Sequence, residues 1–148
     1  MNPGTPAPET LDLPAAACTL EGYWEFFESY VRSERVRAAY TWPQVQVRDL
    51  QAQDQNVATV DKEKYDGFRI GLDDSRWVYL DAANQVDQVA RLDLQEKSNG
   101  QTFRVDYTRA VFEEAEGGDE KVVRTYGDPG AYVFEFRNGC WYLTQELR

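Results

Sequence analysis

The residues able to do chemistry in this sequence are few, and one absence limits them first. There is no histidine among the 148 residues. The commonest general acid–base and the commonest transition-metal ligand are therefore missing. A nucleophilic serine or cysteine would lack its usual base. Carboxylates and tyrosines remain. Asp106 and Tyr107 are the neighbouring pair best suited to isomerase-type chemistry, with a carboxylate base and a phenol to hold an oxyanion. They are consecutive in a segment with strand alternation, so they point to opposite faces and cannot line one cavity. Tyr107 is expected in the core and Asp106 at the surface, and no catalytic residue is assigned.

Metal and cofactor sites are not expected. Asp73 and Asp74, and the acidic run 113–120, lack the ligand spacing and closing Glu of a calcium loop. Gly117 and Gly118, and the pair Gly127 and Gly130, lack the strand–loop–helix setting of a phosphate cradle. Cys18 and Cys140 are too few for structural zinc. They are either two reduced thiols or one disulfide that closes nearly the whole chain and goes with an oxidising compartment.

Charge narrows the partners. The chain carries 26 acidic and 16 basic residues, for a net charge of −10. Phosphate backbones and anionic membrane surfaces are repelled, so nucleic acid is not an expected partner. No run approaches the roughly 20 apolar residues that span a bilayer. Acidity favours solubility, and it also steers a protein toward a basic partner. The densest acidic stretch holds Glu113, Glu114, Glu116, Asp119 and Glu120. It reads either as an exposed loop or as the contact for such a partner.

These residues need elements to hold them. Residues 1–18 are rich in Pro, Ala and Thr, without the charged and apolar regions of a signal peptide. They read as a flexible leader of the kind found after a removed export signal, and residues 19–148 as one α+β domain. Leu20, Tyr23, Trp24, Phe27, Tyr30 and Val31 mark one face of a helix over residues 20–33, with Thr19 as N-cap. Ser33 caps a second short helix, and Pro43 stops it. Val45 and Val47 alternate as in a strand, followed by a polar loop at 51–56.

Residues 68–72 and 76–80 are short strands around a turn at Asp73, Asp74 and Ser75. Residues 84–89 read as a helical turn or loop. Leu92 and Leu94 face Phe103, Val105 and Tyr107 across a hairpin. Strands flank the acidic tip, and residues 127–130 read as a turn. The last two strands meet at Asn138 and Gly139, the strongest short hairpin signal. That turn pairs Arg137 with Cys140, Phe136 with Trp141 and Phe134 with Leu143. Phe134, Phe136, Trp141 and Leu143 then share the buried face, while Cys140, Tyr142 and Val133 share the other. The leader ending at Cys18 is free to cross that second face, which makes the disulfide the preferred reading. Trp24, Phe27, Tyr30 and Trp141 are core rings or, alternatively, the lining of an apolar cavity.

Helices first, then antiparallel strands that close with an aromatic hairpin, resemble the nuclear transport factor-like, or ketosteroid isomerase-like, cone superfamily. The likeness is carried by YWEFFESYV and RVRAAYTWPQVQV near the start and by YVFEFRNGCWYL at the end. The opening is similar to bacterial members of unknown function. The resemblance implies N-terminal helices packed on a curved antiparallel sheet, a cystatin-like cone. Members use its concave cavity for isomerases, dehydratases or ligand binding, and others use the sheet surface for protein partners, including toxin-neutralising immunity proteins. Fold alone does not choose among these.

The combined expectation is a non-enzymatic, periplasmic or otherwise extracytoplasmic binding protein of the inhibitor or immunity type. Its partner is a basic toxin or hydrolase, and it is a monomer or a dimer. A small hydrophobic-ligand module is the alternative, and an Asp/Tyr isomerase is the third reading.

Overall fold

The computed structural model describes residues 13–80 and 86–148. Readings that concern residues 1–12 and 81–85 lie outside them. The chain forms α1 (Tyr23–Arg32) and α2 (Glu34–Ala39), then strands β1 (Thr41–Arg48), β2 (Asn56–Asp61), β3 (Ile70–Asp73), β4 (Arg76–Leu80), β5 (Val86–Asn99), β6 (Thr102–Glu114), β7 (Glu120–Arg137) and β8 (Cys140–Leu147). All eight strands belong to one sheet in the order β2-β1-β8-β7-β6-β5-β4-β3. Every pairing is antiparallel except β1 with β8, which is parallel. The sheet curls strongly around the two helices, as an α+β half-barrel.

The first helix forms because its aromatic face has a large apolar surface to meet. Phe26, Phe27, Tyr30 and Val31 are buried. Phe134 of β7 is the hub they pack on, with ring centroids 5.8 Å from Phe26, 5.9 Å from Phe27 and 5.2 Å from Tyr30. Phe134 also stacks on Phe103 of β6 at 4.7 Å. Burying each such side chain contributes about 1.5–3 kcal/mol. Trp24 packs against the same cluster that contains Trp141, so helix and closing hairpin share one interior. A small second cluster of Ala131, Val133 and Leu147, with Leu50 against it, lies on the other face of the sheet.

The ends of α1 differ from the sequence expectation. The helix starts at Tyr23 rather than Leu20, and Leu20 is exposed. Thr19 is not the N-cap. Its hydroxyl donates to Ala16 O at 2.7 Å and accepts from Gly22 N at 3.0 Å, which ties the preceding turn to the helix start. Ser33 does cap α2, its hydroxyl accepting from Val36 N at 3.2 Å. That helix ends at Ala39, before Pro43. Pro43 sits inside β1, at a point where the register with β8 is interrupted and the pairing with β2 has not begun, so its missing N–H breaks no ladder bond.

The closing hairpin has the expected register, Arg137 opposite Cys140, Phe136 opposite Trp141 and Phe134 opposite Leu143. Asn138 and Gly139 both take positive φ, 53° and 85°, which the two-residue turn of a right-twisted hairpin requires. The disulfide between Cys18 and Cys140 is present. Within the segment read as leader, Ala15–Cys18 forms a short 3-10 turn, and Leu13 and Ala17 are buried. Residues 13–18 thus belong to the folded domain. The Trp141 indole donates to Thr19 O at 2.9 Å beside the disulfide.

Two further expectations are corrected. Residues 86–89 belong to β5, where Val86 pairs with Leu80 of β4, and are neither helical turn nor loop. Residues 127–130 do not form a turn. β7 runs unbroken from Glu120 to Arg137, and the extra residues are absorbed as a bulge between the Tyr107–Gly130 and Arg109–Tyr126 pairs.

Candidate functional site

The chain between β2 and β3 crosses the concave face as a strap, and it builds a polar cluster there with β7 and β8. Tyr132 of β7 is fully buried, and its hydroxyl donates to Gly67 O at 2.6 Å and accepts from Arg69 N at 2.9 Å. Tyr65 on the strap donates to Glu146 Oε1 at 2.6 Å. Glu146 Oε2 accepts from Arg148 Nε at 3.1 Å. Tyr107 stacks on Tyr132 with centroids 5.5 Å apart. A Cβ added at Gly67 would strike Glu146 Oε1, so the strap lies directly on the carboxylate.

Glu146 reaches the concave face through a bulge. Val133 pairs with Gln145 but Phe134 pairs with Leu143, leaving Thr144 as the extra residue. The bulge flips the alternation, turning Glu146 inward and Leu147 toward the second cluster. Burial is the main cause that pushes Tyr65 and Tyr132 well above the ordinary phenol range, with neighbouring Tyr and Glu146 charge adding to it. Burial also raises Tyr107 and Tyr30.

A cleft of about 590 Å³ opens between the strap and α2, lined by Tyr30, Arg37, Thr41, Tyr65, Phe68 and Leu80 among others. Its floor is the buried contact between the Tyr30 and Thr41 hydroxyls at 2.8 Å. Arg37 turns away to donate to Tyr30 O and Val31 O at 2.9 and 2.7 Å, closing the end of α1.

Of the four rings considered as cavity lining, Tyr30 lines this cleft, and Trp24 lines a separate one of about 270 Å³ with Trp77 and Arg91. Phe27 and Trp141 are fully buried among other rings. Asp106 accepts a fork from Arg104 at 2.7 and 2.8 Å, away from Tyr107. Among the described residues, no group of three or more His, Cys, Asp or Glu is placed to hold a metal. No helix among them is long and apolar enough to cross a membrane.

The acidic residues sit on an arm. Beyond Ala110, which pairs with Arg91 of β5, β6 and β7 stay paired with each other as far as Glu114 and Glu120. Its tip is a 3-10 turn, Glu116–Gly118. Glu120 is held by Arg91, through two bonds of 2.9 Å, and by Arg76 at 3.7 Å. That fork from Arg91 keeps the Glu120 carboxyl below its usual range. Glu113, Glu114, Glu116 and Asp119 are exposed and form no ion pair among the described residues. Val122 and Val123 are exposed beside them. Sequence reasoning singled out the arm but missed Tyr65, Tyr132 and Glu146. Only the bulge brings the carboxylate to the tyrosines, and nothing in the local sequence marks it.

No family model matches the chain, and no curated protein is significantly similar to it.

Proposed function

We propose that the chain is a non-enzymatic binding protein of the bacterial cell envelope, an inhibitor or immunity-type protein that blocks a secreted toxin or hydrolase by covering its basic surface. The observation that carries this reading is the arm. Four exposed carboxylates, without ion-pair partners among the described residues, stand at the β6–β7 tip next to exposed Val122 and Val123. Unpaired acidic groups around an apolar spot suit a basic partner, with charge steering the encounter and apolar contact holding it.

The concave side supports the same reading. The helix rings fill much of it, and Glu146 has both oxygens engaged beneath the strap. A substrate would have to displace Tyr65 and lift the strap to reach that carboxylate. The curled sheet with β1 parallel to β8 is compatible with the cystatin-like cone, in which sheet surfaces serve partner binding. The disulfide favours an oxidising, extracytoplasmic location.

The test is affinity capture from bacterial secreted proteins, followed by inhibition assays on what is captured. The bait is compared with a variant carrying Glu113→Gln, Glu114→Gln, Glu116→Gln and Asp119→Asn. A basic protein whose activity the chain inhibits, and which the variant fails to hold, is the expected result. Failure to capture a protein, or equal capture by both baits, overturns the reading. The 590 Å³ cleft favours a second reading, a module for a small, mostly hydrophobic ligand. A co-purified small molecule in native mass spectra, together with failed capture, would select it.

A further inference from the structure

A row of alternating rings and guanidinium groups runs along the base of the arm. Arg109 of β6 sits over Tyr79 of β4, its Cζ 4.8 Å from the ring centroid, and 5.7 Å from the ring of Tyr126 on β7. Arg124 lies 5.3 Å from the same Tyr126 ring. The strand register builds this row, since Arg109 pairs with Tyr126 and Val111 with Arg124. The bulge at 127–129 completes it. Gly127 has φ of 77°, and a Cβ there would come within 2.6 Å of Arg109 Nη2 and 2.8 Å of Nε. The Arg109 guanidinium thus rests on bare backbone that only glycine leaves open.

The other arginines show what is unusual here. Arg76, Arg91, Arg104, Arg137 and Arg148 pair with carboxylates, and Arg37, Arg48 and Arg69 donate to backbone carbonyls instead. Among the described residues, Arg109 and Arg124 pair with no carboxylate. Arg109 Nε is also buried without a hydrogen-bond acceptor. Arg48 and Arg91 share that feature at Nε, but their terminal nitrogens donate to Gln53 O and Glu120. Among the described residues, Arg109 makes no side-chain hydrogen bond and has only ring contacts. A buried donor left without an acceptor costs about 1–3 kcal/mol and calls for an explanation such as a bound ion.

We propose that Arg109, held between Tyr79 and Tyr126 with Arg124 beside it, is a binding site for an oxyanion, the phosphate or carboxylate of a small ligand. Stacking on rings and the Gly127 backbone fixes the guanidinium plane and buries Nε, leaving the terminal Nη nitrogens for the forked recognition that phosphate and carboxylate share. The rings also supply flat surfaces for the rest of the ligand. The site is independent of the acidic arm's proposed partner. The net charge of −10 repels anions at long range, so the attraction is local. It is best measured near 0.15 M salt, where the Debye length is about 8 Å.

The test follows arginine Nε–Hε signals by NMR while inorganic phosphate or acetate is added to the full chain. The expected result is a saturable shift at Arg109 Nε–Hε and at the backbone amides of Tyr126 and Gly127; followed at those amides in every variant, the affinity should fall at least about tenfold in Arg109→Gln and about threefold in Arg124→Gln, as expected for losing a charge-assisted bond. Tighter saturation by phosphate assigns the site to phosphate-bearing ligands, and tighter saturation by acetate assigns it to carboxylates. Arg109→Lys keeps the charge but loses the fork, so it should also weaken binding while circular dichroism stays unchanged. Absence of saturation with both ions, or equal affinity in the folded Arg109→Lys and Arg124→Gln variants, overturns the proposal.

Discussion

Replacing Cys18 and Cys140 together with alanine removes a crosslink that spans 122 residues. Chain-entropy arithmetic for a loop of that length gives about 5 kcal/mol at 25 °C, lost because the unfolded chain is no longer constrained. That is a large share of the roughly 5–15 kcal/mol that holds a typical domain. The folded state changes less, since Leu13 and Ala17 keep their buried places and the Trp141 indole still reaches Thr19 O. Urea unfolding followed by tryptophan fluorescence measures the difference. With a slope of about 2 kcal/mol per molar, the midpoint should fall by about 2.5 M. A reductant added to the wild-type chain should reproduce most of that fall and leave the variant unchanged. A shift under about 0.5 M would refute the reasoning, because the crosslink would then constrain little that the rest of the sequence does not already hold.

Phe134→Ala empties the hub where α1 meets the sheet and should cost about 3–5 kcal/mol, read as a lower unfolding midpoint. Gly130→Ala places a methyl 2.5 Å from the Tyr107 hydroxyl, and the resulting overpacking should cost about 1–3 kcal/mol in the same assay. Tyr30, Tyr65, Tyr107 and Tyr132 are all raised above the ordinary value of 10.0, chiefly by burial. Above that pH the folded state holds protons that the unfolded state releases, so stability is untouched below about pH 10 and falls as pH rises further. Absorbance at 295 nm should show a block of tyrosines ionising only as the fold opens, in step with circular dichroism. Glu120→Gln removes the Arg91 fork and should raise amide exchange along residues 113–121 several-fold, with little change elsewhere.

The opening helix and closing hairpin were legible because each carries a local code. Aromatic spacing of three and four residues marks one, and Asn138–Gly139 fixes the register of the other. The disulfide followed from that register once Cys140 was placed at the start of the last strand. Phe26 was missed because the buried stripe is wider than the spacing used to find it. The Gly-Asp-Pro-Gly stretch misled, since turn chemistry and a bulge draw on the same residues and only the partner strand decides between them. The inward carboxylate was invisible for a similar reason. Thr144 looks like any strand residue, yet as the extra residue it turns Glu146 toward Tyr65 and Tyr132. Glu120 was grouped with its neighbours on the arm because its partner Arg91 lies 29 positions away.

The most direct test of the account is the binding rate of a captured partner, measured by surface plasmon resonance for the wild-type chain and the four-residue arm variant at low and high salt. The variant carries four fewer negative charges than the wild-type net of −10. If the arm steers a basic partner, the wild-type association rate should fall steeply with salt, and the variant should bind about tenfold more slowly at low salt with a flatter dependence. Equal rates and equal salt dependence in the two proteins would contradict the assignment of the arm as the recognition surface.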